Sequence, residues 1–240
     1  MHQSELFDAL VDLVLPRDCI GCGQPRHRLC ESCIEAAADL AIHVPTPTPV
    51  GFPTCVSFGE YAGSLRQAII AVKEHGRRDL VRPLAALLQD AVDAVRPVIG
   101  TPAYVVPIPS TPAAARARGG DHMLRIARAL NSTPARLGSD RFARLLPAGP
   151  LPIARVLVPP KKAADAVGLG RLERVATRRH AFTVRRDARS LVRGAHLILI
   201  DDLVTSGATL TAAAEVLRAG GAESVRAATI AATVRLNGRS

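Results

Sequence analysis

The sequence predicts an α/β protein: a parallel sheet flanked by helices, with a small four-cysteine module in front of it. Three observations carry this. The run HLILI at 196–200 is continuously apolar, as in a strand covered on both faces. Strand-like segments alternate with helical periodicity after residue 60, the pattern of right-handed β-α-β crossovers. Cys19-x2-Cys22 and Cys30-x2-Cys33 form two hooks within 15 residues, in a segment too short to build a core of its own.

The elements follow in order. Leu6, Leu10 and Leu13/Val14 share one helical face at the start of the chain. The cysteine module follows, to residue 43. VPTPTPVGFP (44–53) alternates proline with small residues and is predicted extended. The expected division is therefore 1–43 for the N-terminal helix and cysteine module, 44–60 for a Pro-rich linker and lead-in, and 61–240 for the larger domain. Leu65, Ala68/Ile69 and Val72 predict a helix over 64–75. Leu80, Leu84, Leu87/Leu88, Ala91 and Val95 predict a second over 79–95. AYVVPIP (103–109) reads as a buried strand ending at prolines, and Met123, Ile126/Ala127 and Leu130 as another helix. Strands are expected at 154–158, 196–200 and 225–233. A helix carrying Leu210, Ala213/Ala214 and Leu217 ends at Gly220-Gly221.

Composition narrows the function. Of 240 residues, 48% are hydrophobic and 22% charged, enough to bury a core. The formal net charge of +10 is unevenly spread. Residues 1–60 hold three basic and eight acidic residues, a net of −5, so the remainder holds 28 and 13, a net of +15. That excess suits a phosphorylated or polyanionic partner. Aromatics are only 3%, with no Trp, which disfavours an extensive base-stacking platform. The opening residues carry Glu5, Asp8 and Asp12 and no early Lys or Arg, unlike a secretory leader. No run of about 20 apolar residues occurs, so no membrane insertion is expected, and the cytoplasm is the expected compartment.

Two CxxC hooks present four thiolates to one tetrahedral ion, so Cys19, Cys22, Cys30 and Cys33 are the expected ligands of a structural zinc. A redox dithiol is the competing reading. His27 and His43 offer substitute ligands that four cysteines do not require. Cys55 reads as a small buried hydrophobe.

HLILIDDLVTSGATL (196–210) is the most informative segment. An apolar strand delivers Asp201 and Asp202 to the carboxyl edge of a parallel sheet, where ligands bind in such folds. Thr205, Ser206, Gly207, Ala208 and Thr209 then lead into a helix. Small residues at a helix start let backbone N–H groups converge on an anion, and the helix dipole favours it. Carboxylates accept from sugar hydroxyls. The combination matches a ribose 5-phosphate, whereas an acid pair alone is often a solvated strand end and TSGAT alone an N-cap turn.

The segment resembles the 5-phosphoribosyl 1-pyrophosphate (PRPP) signature of type I phosphoribosyltransferases: apolar strand, two acids, then a T/S-T/S-G-x-T loop. With the cysteine knuckle in front, the chain resembles the ComF/GntX family of competence-associated phosphoribosyltransferase-like proteins. YAGSLRQAIIAVKEHG (61–76), VVPIPSTPAAARARGG (105–120) and RLERVATRRHAF (171–182) resemble further family segments. The resemblance implies a type I phosphoribosyltransferase-like fold, PRPP as ligand, and Mg2+ bridging pyrophosphate and ribose. It implies roles for Asp201 and Asp202 in catalysis and for 201, 202 and 205–209 in PRPP binding. Basic candidates for the pyrophosphate are Lys73, Arg116, Arg118, Lys161 and Lys162, with Arg171 in the same Gly- and Ala-rich stretch as the last two. It also implies a link to DNA uptake, with single-stranded DNA and uptake proteins as partners. The sequence departs from the family where Arg118-Gly119-Gly120-Asp121-His122 replaces R-G-F-N-Q, and where Ala166 and Thr177 stand near the usual Gln and Asn.

Overall fold

A computed structural model describes residues 18–97, 102–130, 150–159 and 182–233. The expected helix near Leu6–Val14 and the candidates Lys161, Lys162 and Arg171 lie outside these residues.

The cysteine module ends in a short helix α1 (Glu31–Glu35) and strand β1 (Ala41–His43). Strand β2 (Cys55–Glu60) follows, then α2 (Gly63–Glu74), a 3-10 turn (Arg78–Leu80) and α3 (Val81–Ala94). Next come β3 (Ala103–Pro107), α4 (Pro112–Ala117) and α5 (His122–Leu130). A two-stranded ribbon, β4 (Leu157–Val158) with β5 (Thr183–Val184), precedes a second 3-10 turn (Arg186–Ala188) and α6 (Arg189–Val192). Then β6 (His196–Val204), α7 (Ala208–Ala219) and β7 (Ser224–Ala232) complete the described fold.

The main sheet has the order β1-β2-β7-β6-β3. β2, β7, β6 and β3 run parallel, and β1 joins β2 antiparallel at the edge. This is the expected α/β architecture. The two central strands, β6 and β7, have neighbours on both sides, and their Leu, Ile, Val and Ala side chains are covered on both faces. One core packs the sheet against α2, α3 and α5 through Leu65, Leu84, Leu88, Ile126, Ile198 and Ile230. The other lies under α7 and the ribbon, with Leu197, Leu199, Leu210, Leu217, Val156 and Phe182. Cys19, Leu29, Cys30 and Ile34 belong to the first core, so the cysteine module packs on the sheet.

Several expectations shift in detail. β6 runs four residues past Ile200, which places both acids inside the strand. The segment expected as a strand at 154–158 pairs only at its end, and Ile153 bridges to Val105 of β3. Within 44–60, residues 55–60 form β2, buried on both faces, with Val56 and Phe58 in the first core and Cys55 in the second. Gly59 permits the module to approach, because a Cβ there would overlap the carbonyl of Ala37. The proline-rich stretch ahead of β2 lies across the start of α7: Arg218 donates to the carbonyl of Gly51, and Phe52 rests against Gly207.

Candidate functional site

Site geometry begins with the two-residue period of a strand. Consecutive side chains of β6 leave on opposite faces, so Asp201 and Asp202 face different surroundings. Asp202 faces α2 and α5 and is buried. Its Oδ2 lies 2.8 Å from Lys73 Nζ and 3.0 Å from His122 Nε2. Burial pushes this carboxyl up, but the His122 hydrogen bond and the Lys73 charge outweigh it and hold it at about 2. Asp201 is half-buried on the other face, beside Cys55, and aligned with Thr229 of β7 and Ser57 of β2. It accepts from the Asp202 amide at 3.0 Å. Burial, then the neighbouring Asp202 charge, pushes Asp201 well above the ordinary carboxylate range.

The two acids therefore have opposite linkage to pH. Asp202, depressed in the folded state, contributes stability above its unfolded pKa near 4 and loses it as pH falls toward 2. Asp201, raised in the folded state, becomes a burden as pH rises from about 4 through its folded value. Asp201→Asn removes that burden. Urea melts are expected to show the variant gaining on the wild type as pH rises from about 4 to 7. A difference that does not change with pH would contradict this environment.

The loop Thr205–Gly207 turns the chain from β6 into α7. Gly207 adopts φ +72°, a left-handed conformation that glycine takes without strain. Thr211 donates to the Gly207 carbonyl at 2.9 Å through both its amide and its hydroxyl. No side chain caps this end of the 12-residue helix, so its first N–H groups lack intrahelical partners. Thr205, Ser206, Ala208 and Thr209 are exposed, and Gly207 is buried under Phe52 and Pro45. The arrangement can receive an anion on backbone amides.

The basic candidates divide. Lys73 is brought into the site by its pair with Asp202. Arg118 lies 3.7 Å from Glu74, the residue after Lys73, so it stands at the same corner. Arg116 is exposed on α4. His122, which the sequence marks only as a departure from a family pattern, is the unforeseen member. It starts α5 where Asp121 accepts from the amides of Leu124 and Ser110, and that cap sets the ring against Asp202. A polar residue at a helix start just beyond a strand end was the signal available. A separate cavity of about 400 Å³ lies at the β1 edge, lined by Leu40, Ile42, Thr54, Val95 and Arg226 among others, away from the acids and the loop.

The cysteine sulfurs form a second centre. All four lie within 4.8 Å of one another, with Cys30 3.5 Å from both Cys19 and Cys22. Four thiolates about 2.3 Å from one ion stand roughly 3.8 Å apart, so the donor set fits a tetrahedral zinc. The Cys30 amide donates to Cys19 Sγ at 3.3 Å, and Ser32 Oγ lies 3.2 Å from Cys30 Sγ. The Ser32 hydrogen bond leads in lowering Cys30 to about 6, while burial and the neighbouring sulfurs push Cys33 up to about 12. Four thiolates cannot share this volume as free anions, and a divalent cation removes the conflict. Cys55 is fully buried, and burial pushes its thiol up to about 12.

Among the described residues no helix is long and apolar enough to cross a membrane. The family model for the phosphoribosyl transferase domain matches residues 151–237. No curated protein matches the chain. The matched stretch contains β6, both acids, the loop, α7 and β7. That strand, loop and helix lie inside a stretch similar to a phosphoribosyl transferase domain, which covers about a third of the chain.

Proposed function

We propose that this chain binds PRPP at the β6–α7 turn, and that it is a ComF/GntX-type phosphoribosyltransferase-like protein able to pass phosphoribose to an acceptor. One observation carries the reading: a buried parallel strand presents two acids and then runs into a helix whose uncapped N–H groups open beside them. The 5-phosphate is assigned to the amides and hydroxyls of 205–209, and the ribose to the acids. Lys73, paired with Asp202, and Arg118, paired with the neighbouring Glu74, are pyrophosphate candidates, and Arg116, Lys161 and Lys162 are further ones.

Breaking the C1′–pyrophosphate bond develops positive charge on the ribose and negative charge on the leaving group. The chain's task is to position both and to meet those charges. Burial and the Asp202 charge disfavour the Asp201 anion, and positive charge developing on the ribose would favour it. Mg2+ would supply charge neutralisation on the pyrophosphate. It takes oxygen ligands and keeps several waters, so the substrate's own phosphates would be its principal donors. The four cysteines are assigned a structural zinc, and the cytoplasm is the assigned compartment.

A second reading, a non-catalytic or PRPP-regulated protein that handles single-stranded DNA in DNA uptake, is favoured by the +15 balance after residue 60. Titrations separate the two. PRPP affinity that requires Mg2+ and falls about 10- to 100-fold in Asp201→Asn and Asp202→Asn supports the transferase-type site, since each substitution removes a charged hydrogen-bond acceptor. Salt-sensitive binding to single-stranded DNA that ignores both substitutions supports the other.

A further inference from the structure

Three of the five exposed large apolar side chains among the described residues stand together at the β1 edge. Leu40 is 43% exposed, Ile42 67% and Val44 59%, and their two-residue spacing puts them on one face of the strand. Ile42 is paired with Val56 of β2. Opposed residues of an antiparallel pair share a face, and Val56 lies in the first core, so the stripe is on the α3 side of the sheet. β1 is the outermost strand, and α3 ends at Ala94. Between them lies the cavity of about 400 Å³, whose lining includes Leu40, Ile42, Val56, Ala94, Val95 and Arg226. Arg226 directs Nη1 to the carbonyls of Val95 at 2.9 Å and Arg96 at 3.4 Å, so its charge serves the end of α3. What remains for an occupant is a groove walled mainly by hydrocarbon.

The same chain carries a matching surface. On a helix, Leu6, Phe7, Leu10, Leu13 and Val14 fall on one side and Glu5, Asp8 and Asp12 on the other. An apolar stripe of this width needs covering, while the acidic side suits water. These residues join the described chain at Asp18, and Cys19 and Ile34 of the cysteine module pack in the core on the same side of the sheet as the groove. Seventeen residues span about 25 Å as a helix and about 55 Å extended. The six-residue β2 is about 20 Å long, so the whole edge is within reach. A tether this short holds the segment at an effective concentration of about millimolar, which favours it over a second copy as the occupant.

We propose that the apolar side of residues 5–14 docks in the groove between β1 and the end of α3 of its own chain and covers the sheet edge. This surface is separate from the acids and the loop, and the inference stands whether or not PRPP binds there.

Photocrosslinking of the full chain tests it, with a benzoylphenylalanine in place of Leu10. A mixture of unlabelled and 15N-labelled copies is irradiated, and the linked peptides are identified by mass spectrometry. Links to residues 40–44 or 94–95 are expected, each within one isotopic copy. Links elsewhere in the chain, links joining labelled to unlabelled copies, or no links at all would overturn the assignment, the mixed links pointing to a second copy instead. Urea melts of Leu10→Ser, Ile42→Thr and the double variant give an independent reading. Each single substitution is expected to lower the folding constant about 10-fold, the worth of a buried apolar contact, and the double variant is expected to lose little more than either. An Ile42→Thr variant as stable as the wild type, the result for a side chain left in water, or fully additive losses would also overturn it.

Discussion

Gly207→Val is expected to abolish measurable PRPP binding and to lower the melting temperature of a chain that still folds. Two effects act together. Gly207 sits at φ +72°, where a β-branched residue is strained by about 1–2 kcal/mol. A Cβ built there meets Phe52 Cε2 at 2.6 Å, Phe52 Cδ2 at 2.8 Å and Pro45 Cγ at 2.9 Å. Overpacking of that kind costs about 1–3 kcal/mol more. The new side chain therefore collides first with the proline-rich stretch rather than with a phosphate. Relief comes from shifting the loop, which carries its N–H groups off their common focus. Calorimetric titration and a thermal melt on the same sample check both parts, and unchanged affinity in a folded variant would refute the assigned loop.

Zinc removal is expected to have the larger effect on stability. A closed shell of four thiolates binds zinc with an apparent free energy of about 10–16 kcal/mol, and in small modules that energy is folding energy. Here the module also contributes Leu29 and Ile34 to the core containing Leu65 and Phe58, so its loss exposes one side of the sheet. Metal analysis is expected to find about one zinc per chain. Thiol titration of the native protein is expected to find the four clustered cysteines protected, then reactive after chelation. Cys55, fully buried with its thiol pushed up to about 12, stays unreactive until the sheet unfolds. A fully reduced, folded sample without metal would remove the zinc assignment and favour the redox dithiol.

Local pattern revealed the parts of the fold that local pattern determines. HLILI had to be a covered strand, the Leu210–Leu217 stripe had to be a helix, and CxxC spacing had to bring sulfurs together in pairs. β1 and β2 were hidden because prolines precede Cys55, and because the buried small residues Ser57 and Gly59 give β2 no alternation. Tertiary pairing with β7, more than 160 residues away, makes it a strand. The acids were legible as residues but not as a pair with unequal environments. Only the length of β6 shows that both lie within the strand and so face opposite sides. The Lys73–Asp202–His122 cluster joins α2, β6 and α5, and the Phe52–Gly207 contact joins residues 155 positions apart. Neither leaves a trace in periodicity, since each depends on how the helices stack on the sheet.

The central claim is that the turn between β6 and α7 holds a sugar phosphate on its backbone amides. Backbone 1H–15N spectra, recorded while PRPP is added in the presence of Mg2+, address it directly. The account predicts that the amides of Thr205 through Thr209 move most and saturate together, with Asp201 and Asp202 next. Saturable binding that leaves those five amides unmoved and shifts residues elsewhere would contradict it.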